Sequence, residues 1–246
     1  MNRKILVLIG ALAMAASSCT SAKGSAAPTT ASTLPPPAPD TTLAPTTAPA
    51  PAPATTGVPA GPVAPLTGLA SAVPGIVNRP ALVVKIDNHE DARPQTGLNQ
   101  ADLVIEELVE GISRFAAVFH SQEPAGSTEV GPVRSARTSD LSIITAFGTP
   151  LFAWSGANAY TAKAVRRARI VDVGADASAG DYYRQRGRPA PHNLFTRTQA
   201  LFAHARYGQV APKPVFTYRT SASAPPAAPA PAAGVKLTFD AKQSQW

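Results

Sequence analysis

With 246 residues, 26 prolines and a single cysteine, this chain can form neither an intrachain disulfide nor a cysteine-based metal cage. Its formal net charge of +7 would suit nucleic acid, but it has no basic helix interleaved with aromatics and no zinc-finger or helix-turn-helix pattern, so we expect no nucleic-acid partner. The charges divide along the chain, with 6 Lys and Arg against 10 Asp and Glu over residues 79–140 and 11 against 3 over residues 141–219, which favours packing of one half on the other.

The first 18 residues are predicted to be a lipoprotein signal peptide. Arg3 and Lys4 precede an apolar stretch that is shorter than the roughly 20 residues needed to span a bilayer. The small residues before Cys19 resemble a bacterial lipobox, in which the cysteine is acylated and holds the protein on the membrane. The alternative is ordinary cleavage after residues 13–15, which would leave Cys19 as a free thiol. We expect a lipid-anchored protein on the extracytoplasmic face of the cell membrane.

A segment rich in Pro, Ala and Thr follows and predicts a disordered tether over residues 19–64. From Gly24 to Leu66 the only charged residue is Asp40, and so little apolar bulk does not offset the entropy lost on ordering. Such a spacer would lift the folded part from the membrane, although the composition also fits neutral low-complexity sequence. Residues 65–220 are then expected to form one domain, residues 221–234 a Pro/Ala linker, and residues 235–246 the start of a truncated second domain.

The pattern of the body predicts an α/β domain, a mixed sheet with helices packed on it. Pro80 to Ile86 is a short β-branched run typical of a buried strand, and a loop extends from Glu90 to Asn99. Residues 99–111 fit either a helix or the first strand of a hairpin, and the apolar runs on both sides of Gly111 favour the hairpin. Further elements are expected in this order: a helix from Ser139 to near Gly148, a strand at 150–154, a helix capped by Asn158 through Arg169, a strand at 170–173, a long loop at 174–191, a helix capped by Thr196 and ending at Gly208, and strands at 215–219 and 235–239, the last with no partner in view.

Polar side chains are concentrated at the predicted strand ends and loops. The candidate cluster comprises Asp87, Asn88, His89, Gln95, Glu106, Glu107, Glu110, His192 and Asn193. Asp87 and His89 could bind a metal together with His120 or His192, but none of the spacings is typical of a zinc site, and capping of a turn is the favoured interpretation, so no metal is predicted. A general acid–base pair among the glutamates would need one raised pKa, which sequence does not reveal.

Arginines near a predicted helix start form a candidate anion site. Arg134 and Arg137 flank Ser135, and Arg114 and Arg93 are further candidates. Guanidinium groups bind phosphate and carboxylate in a bidentate fashion. The competing interpretation is that the first two arginines pair internally with Glu106, Glu110 or Asp102.

Several short motifs together resemble the YerB-type bacterial lipoprotein family over residues 65–219. They are Pro65-Leu66-Thr67-Gly68-Leu69, Ile86-Asp87-Asn88-His89, Ala92-Arg93-Pro94-Gln95, Gly131-Pro132-Val133-Arg134-Ser135-Ala136-Arg137 and His192-Asn193-Leu194. The resemblance implies an extracytoplasmic lipoprotein with an α/β amino-terminal domain and a second domain, which would begin near Val235. It implies no molecular activity. Gly111-Ile112 departs from the two glycines that the family often has at this bend.

Two functions are consistent with these patterns. The first is a tethered binding module for a cell-wall component or an envelope protein. The second is an envelope enzyme acting on a phosphate- or carboxylate-bearing substrate, with Arg134 and Arg137 holding the anion and Asp87 or a glutamate as base. No nucleophile elbow, P-loop or dinucleotide-binding glycine pattern is present, so no cofactor is predicted.

Overall fold

The computed structural model describes residues 61–71, 75–121, 128–218, 233–239 and 242–245. The predicted signal peptide, most of the predicted tether and most of the Pro/Ala linker therefore lie outside the described residues. Before Pro65, Val63 forms a bridge with Ala70 and Ala64 is buried, so the folded part includes these residues. None of the helices in the described part has the length and apolar composition needed to cross a membrane.

A mixed five-stranded sheet is the centre of the domain, which confirms the predicted α/β class. Its strands are β1 (Leu82–Asp87), β2 (Leu103–Val109), β3 (Ile112–Phe119), β5 (Leu151–Ala153) and β6 (Val171–Asp172). The short strand β4 (Glu129–Val130), which lies between β3 and β5 along the chain, belongs to another sheet. The spatial order is β2-β3-β1-β5-β6. The β2–β3 and β3–β1 pairs are antiparallel, whereas β1–β5 and β5–β6 are parallel. β1 is buried along its whole length, as expected for a central strand with both faces covered.

The hairpin interpretation of residues 99–119 is confirmed, since β2 and β3 pair from Leu103–Val118 to Val109–Ile112. The turn consists of Glu110 and Gly111, with φ angles of 51° and 81°. Two-residue hairpin turns of this handedness require positive φ at both central positions, which glycine adopts freely and glutamate does not.

Helices cover one face of the central sheet. They are α1 (Thr138–Ile144), a 3₁₀ turn at Thr145–Phe147, and α2 (Ala159–Arg167), whose predicted cap is confirmed because Asn158 Oδ1 accepts the Thr161 N–H at 2.8 Å. Val83, Val118 and Phe152 pack with Ile144 and Val165 on this face. The buried apolar side chains of α1 and α2, Ile144 and Val165, thus face the sheet.

A second, three-stranded sheet covers the other face, and the sequence did not predict it. Its order is β4-β8-β7, with β7 at Tyr182–Arg184 and β8 at Leu194–Arg197. Val130 and Leu194 pack there against Val84 and Phe119. The loop predicted at 174–191 therefore contains a strand, which was missed because three residues are too few to show alternation.

Three further predictions for the carboxy-terminal part are wrong. Thr196 does not cap a helix, because it lies in β8 and its hydroxyl donates to the Asp181 carbonyl at 2.9 Å; the helix that follows, α3, spans only Thr198–Phe202 and does not reach Gly208. Residues 215–218 form no strand. The strand expected at 235–239 does have a partner, since β9 (Lys236–Phe239) forms a hairpin with β10 (Lys242–Gln245).

Candidate functional site

The loop after β1 and the segment from Gly131 to Arg137, which both carry predicted site residues, meet at the carboxyl end of β1. β5 pairs with β1 only at Leu82–Val84, and the segment from Pro132 to Arg134 takes its place along the last three residues of β1. The Asp87 N–H donates to the Pro132 carbonyl at 2.9 Å, and the Arg134 N–H donates to the Lys85 carbonyl at 2.9 Å. Thr96 and Gly131 also bridge, so the loop after β1 is bound to the same segment.

The first polar group lies beneath this end of the sheet, on the face that α1 covers. Lys85 is fully buried, and its ammonium pairs with Asp140 at 2.7 Å and with Glu107. Asp140 is also fully buried, and its other oxygen accepts the Arg137 N–H at 2.6 Å at the start of α1. Burial lowers the pKa of Lys85, and the Asp140 carboxylate opposes that shift. Lys85 and Asp140 were not among the predicted site residues, although a lysine inside the apolar run of β1 was a visible signal.

Asp87 connects several of the predicted residues. Its side chain is 1% exposed, and Oδ2 lies 2.7 Å from His192 Nδ1 and 3.0 Å from Arg134 Nε. The Arg134 contact is an ion pair whose N–H does not point at the oxygen closely enough for a hydrogen bond. Oδ1 accepts the His89 N–H at 3.1 Å. Arg134 therefore pairs with Asp87 and not with the carboxylates that the sequence suggested.

Arg114 is a buried guanidinium with few hydrogen bonds. It stands in register between Asp87 on β1 and Glu107 on β2, and it is 5% exposed. Its NH1 donates a long hydrogen bond to the Ser135 carbonyl at 3.4 Å, and Nε has no acceptor among the described residues. Burial lowers the pKa of Arg114, and the charges of Arg137 and Arg134 lower it further. Three guanidinium groups therefore lie close together here.

Arg137 is the third arginine of this group and contacts the β2–β3 turn. Its Nε and NH2 donate to the two Glu110 oxygens at 3.1 Å and 2.7 Å, and Glu110 is one of the internal partners that the competing interpretation named. These hydrogen bonds lower the pKa of Glu110. The Glu110 side chain is 68% exposed, whereas those of Arg134 and Arg137 are 24% and 21% exposed.

A second polar group lies on the opposite face of the same strand ends. Asn88 donates to Ser113 Oγ at 2.7 Å, and Ser113 donates to Glu106 at 2.5 Å. Gln95 and Arg93 both donate to Asn88 Oδ1, at 2.9 Å and 3.2 Å. An open cleft beside them is lined by Asn88, Ser113, Gln95 and Arg93 together with His89. Ser113 is an addition to the predicted set, and it lacked a sequence signal.

The remaining predicted residues lie beside these groups. Asn193 accepts from Arg184 at 2.6 Å and donates to the Arg188 carbonyl at 3.1 Å, which fixes the loop before β8. His192 reaches the Asp87 side of the site, where its ring stacks on that of His89 with centroids 4.4 Å apart. The predicted site residues other than Cys19, which lies outside the described residues, thus lie around the end of β1, at the neighbouring β2–β3 turn or in the loop that carries His192. His120, considered as a metal ligand, lies instead beyond β3 near the start of β1, where its Nε2 is 3.0 Å from the Arg79 carbonyl oxygen.

Comparison with known proteins gives a consistent result. The chain is 39% identical over 135 residues to the protein described as "Putative lipoprotein YerB" from Bacillus subtilis (strain 168), a match covering 54% of this chain and 39% of that protein. The crystal structure of the YerB protein from Bacillus subtilis superposes with a TM-score of 0.51 at 36% identity, covering 56% of this chain and 47% of the other. The chain thus spans less than half the length of these relatives. Residues 66–211 match the model of the amino-terminal domain described as a protein of unknown function, DUF3048, and on that match this chain belongs to the DUF3048 family.

Proposed function

We propose that this protein is a lipid-anchored envelope protein whose domain binds an anionic, phosphate- or carboxylate-bearing cell-wall component through Arg114, Arg134 and Arg137. The observation that carries the proposal is Arg114, which is 5% exposed and whose Nε lacks an acceptor among the described residues. An unsatisfied buried donor costs roughly 1–3 kcal/mol, and more if it is charged. A bound anion would supply the missing acceptors.

An anion could reach Arg114 from solvent at the two neighbouring arginines. Arg134 and Arg137 are both partly exposed, and each guanidinium carries five donors, more than their carboxylate partners use. Planar guanidiniums favour phosphate and carboxylate groups, which accept two parallel hydrogen bonds. Arg114 would form the floor of the site and the other two arginines its sides.

The geometry supports a binding role ahead of an enzyme acting on the same class of compound. Asp87 is the carboxylate that such an enzyme would use as base. Its side chain is 1% exposed, and Oδ2 is shared between His192 and Arg134. A carboxylate held in this way is a support for its neighbours, because it is not in contact with solvent or with an incoming substrate.

Replacing Arg114 with methionine is expected to weaken anion binding at least tenfold, since charge-assisted hydrogen bonds contribute roughly 1.5–3 kcal/mol. Calorimetric titration with pyrophosphate, a teichoic acid fragment and a muropeptide would measure the change and separate phosphate from carboxylate ligands. Arg137→Gln, at a partly exposed position, should also reduce affinity. Arg166→Gln is a matched control, because Arg166 is exposed on α2.

Two outcomes would contradict this site. One is no heat and no thermal shift with any of the three probes for the unaltered protein. The other is equal affinity of the Arg114→Met, Arg137→Gln and Arg166→Gln proteins for a probe that binds. Recovery of a specific envelope protein by crosslinking, together with no response to the probes, would favour protein binding instead.

The lipid anchor is a separate prediction. Cys19→Ser should move the protein from the membrane fraction to the soluble extracytoplasmic fraction, because no acyl chain can then be attached. Ser21→Ala, two residues downstream, should leave the protein with the membrane. Fractionation followed by immunoblotting measures both. Unchanged membrane association of the Cys19→Ser protein would rule out anchoring at this cysteine.

A further inference from the structure

Two histidines and an aspartate converge beside the arginine site. His89 follows β1 and His192 precedes β8, and potential ligand atoms of His89, Asp91 and His192 all lie within 4.8 Å of one another. The side chains of His89 and His192 are 36% and 12% exposed, and that of Asp91 is 52% exposed. The proposed anion site uses none of the three.

Asp87 fixes the His192 ring in the orientation that metal ligands usually have. Its Oδ2 lies 2.7 Å from His192 Nδ1, and because a carboxylate accepts hydrogen bonds, Nδ1 is the donor and Nε2 is the ring nitrogen left for a metal. Metal-binding histidines almost always donate their second ring N–H to a carboxylate or carbonyl in this way. The Asp87 carboxylate is buried and therefore holds the ring firmly.

His89 and Asp91 have a spacing that suits two ligands of one ion. His89 Nδ1 lies 3.4 Å from Asp91 Oδ2. Two ligands at about 2.0–2.1 Å from a tetrahedral zinc ion are separated by about 3.3–3.4 Å. His89 Nδ1 now accepts the Asp91 main-chain N–H at 3.2 Å, a hydrogen bond that coordination of a metal ion by Nδ1 would replace.

We propose that His89, Asp91 and His192 bind one divalent transition-metal ion, for which Zn²⁺ is the best suited. Two imidazole nitrogens and one carboxylate oxygen are ligands that zinc accepts, and three protein ligands leave a fourth position open to water or to a ligand. The two rings now stack with an interplanar angle of 18°. Binding requires the more exposed His89 ring to tilt until the lone pairs converge, while Asp87 holds His192.

The test uses the untagged full chain in detergent, stripped with a chelator and titrated with Zn²⁺ by calorimetry, with metal content measured after dialysis. We expect one ion per chain, and we expect His89→Asn, Asp91→Asn and His192→Asn each to weaken binding at least about tenfold, as even supporting residues of metal sites do. His204→Asn is the matched control, because His204 forms a similar pair with Asp181 at 2.6 Å outside the cluster. Co²⁺ should give the absorption bands of a four-coordinate site in the unaltered and His204→Asn proteins but not in the His89→Asn, Asp91→Asn and His192→Asn proteins.

The substitution at exposed Asp91 keeps the test valid if a histidine variant fails to fold. Zinc affinity that is equal in the Asp91→Asn and His204→Asn proteins would overturn the proposal, as would less than one ion per chain in the unaltered protein. Arg137→Gln should retain zinc binding. The proposal of a metal site and the proposal of an anion site can therefore be contradicted independently of each other.

Discussion

Lys85→Met is expected to lower the free energy of unfolding by about 3–5 kcal/mol, the usual cost of removing one partner from a buried ion pair. Lys85 is fully buried between Asp140 and Glu107. Methionine has a similar length and fills most of the space, so the loss comes from the charge. Asp140, itself fully buried, would then be left without its counter-ion.

Urea denaturation followed by circular dichroism would measure this loss. Lys163→Met on the exposed side of α2 is the matched control and should change stability by no more than about 0.5 kcal/mol. Adding Asp140→Asn to Lys85→Met should cost less than the sum of the two single substitutions, because the second change removes the unpaired charge. A loss below about 1 kcal/mol for Lys85→Met would show that the pair contributes little.

Asp87→Asn should have the second largest effect, a loss of about 3 kcal/mol, by the same argument for a buried charge. Asparagine keeps the shape of the side chain but removes the negative charge that lies near Arg134 and Arg114. It also removes a charged acceptor for His192. The positive charges at the end of β1 would then repel one another with less compensation.

The control for this substitution is Asp91→Asn, four residues along the chain and 52% exposed at the side chain. It should change the stability of the metal-free protein by no more than about 0.5 kcal/mol, since exposed ion pairs contribute little. Thermal unfolding should show a clear drop in midpoint for Asp87→Asn alone. Similar midpoints for the two variants would mean that Asp87 is not the electrostatic centre of the site.

The elements that sequence predicted correctly are those whose pattern is local. β1 is an apolar run bounded by a proline and by polar residues, and α2 begins at an asparagine whose side chain caps it. Two apolar runs on either side of Gly111 favoured the prediction of a hairpin, which β2 and β3 form. Each of these signals depends on neighbours along the chain, so a single sequence is enough to find them.

The second sheet could not be found in this way. Its strands are two to four residues long, and β4 pairs with β8 across more than 60 residues of sequence. Thr196 shows the ambiguity, because threonine is common both at helix caps and in strands. Only the packing of Leu194 and Phe195 in the core decides between them.

The sequence indicated which polar residues come together better than it indicated which of them pair. The loop after β1 does meet the segment from Gly131 to Arg137, and Arg137 does pair with Glu110. Asp87 and His192, however, are 105 positions apart, and Arg134 pairs with Asp87, which was not among the partners suggested for it. Ion-pair partners are set by the register of β1, β3 and the crossing segment, and one sequence does not specify that register.

The segment from Pro132 to Arg134 continues the sheet where β5 ends, by main-chain hydrogen bonds to Lys85 and Asp87. Arg134 is therefore attached to the central strand of the domain, and Ser135 and Arg137 follow it directly. Most of the ordering entropy of these residues is already lost when the chain folds. A ligand held by these arginines would meet a surface that needs little rearrangement, so its affinity would depend mainly on the match between its charge and the positions of the guanidinium groups.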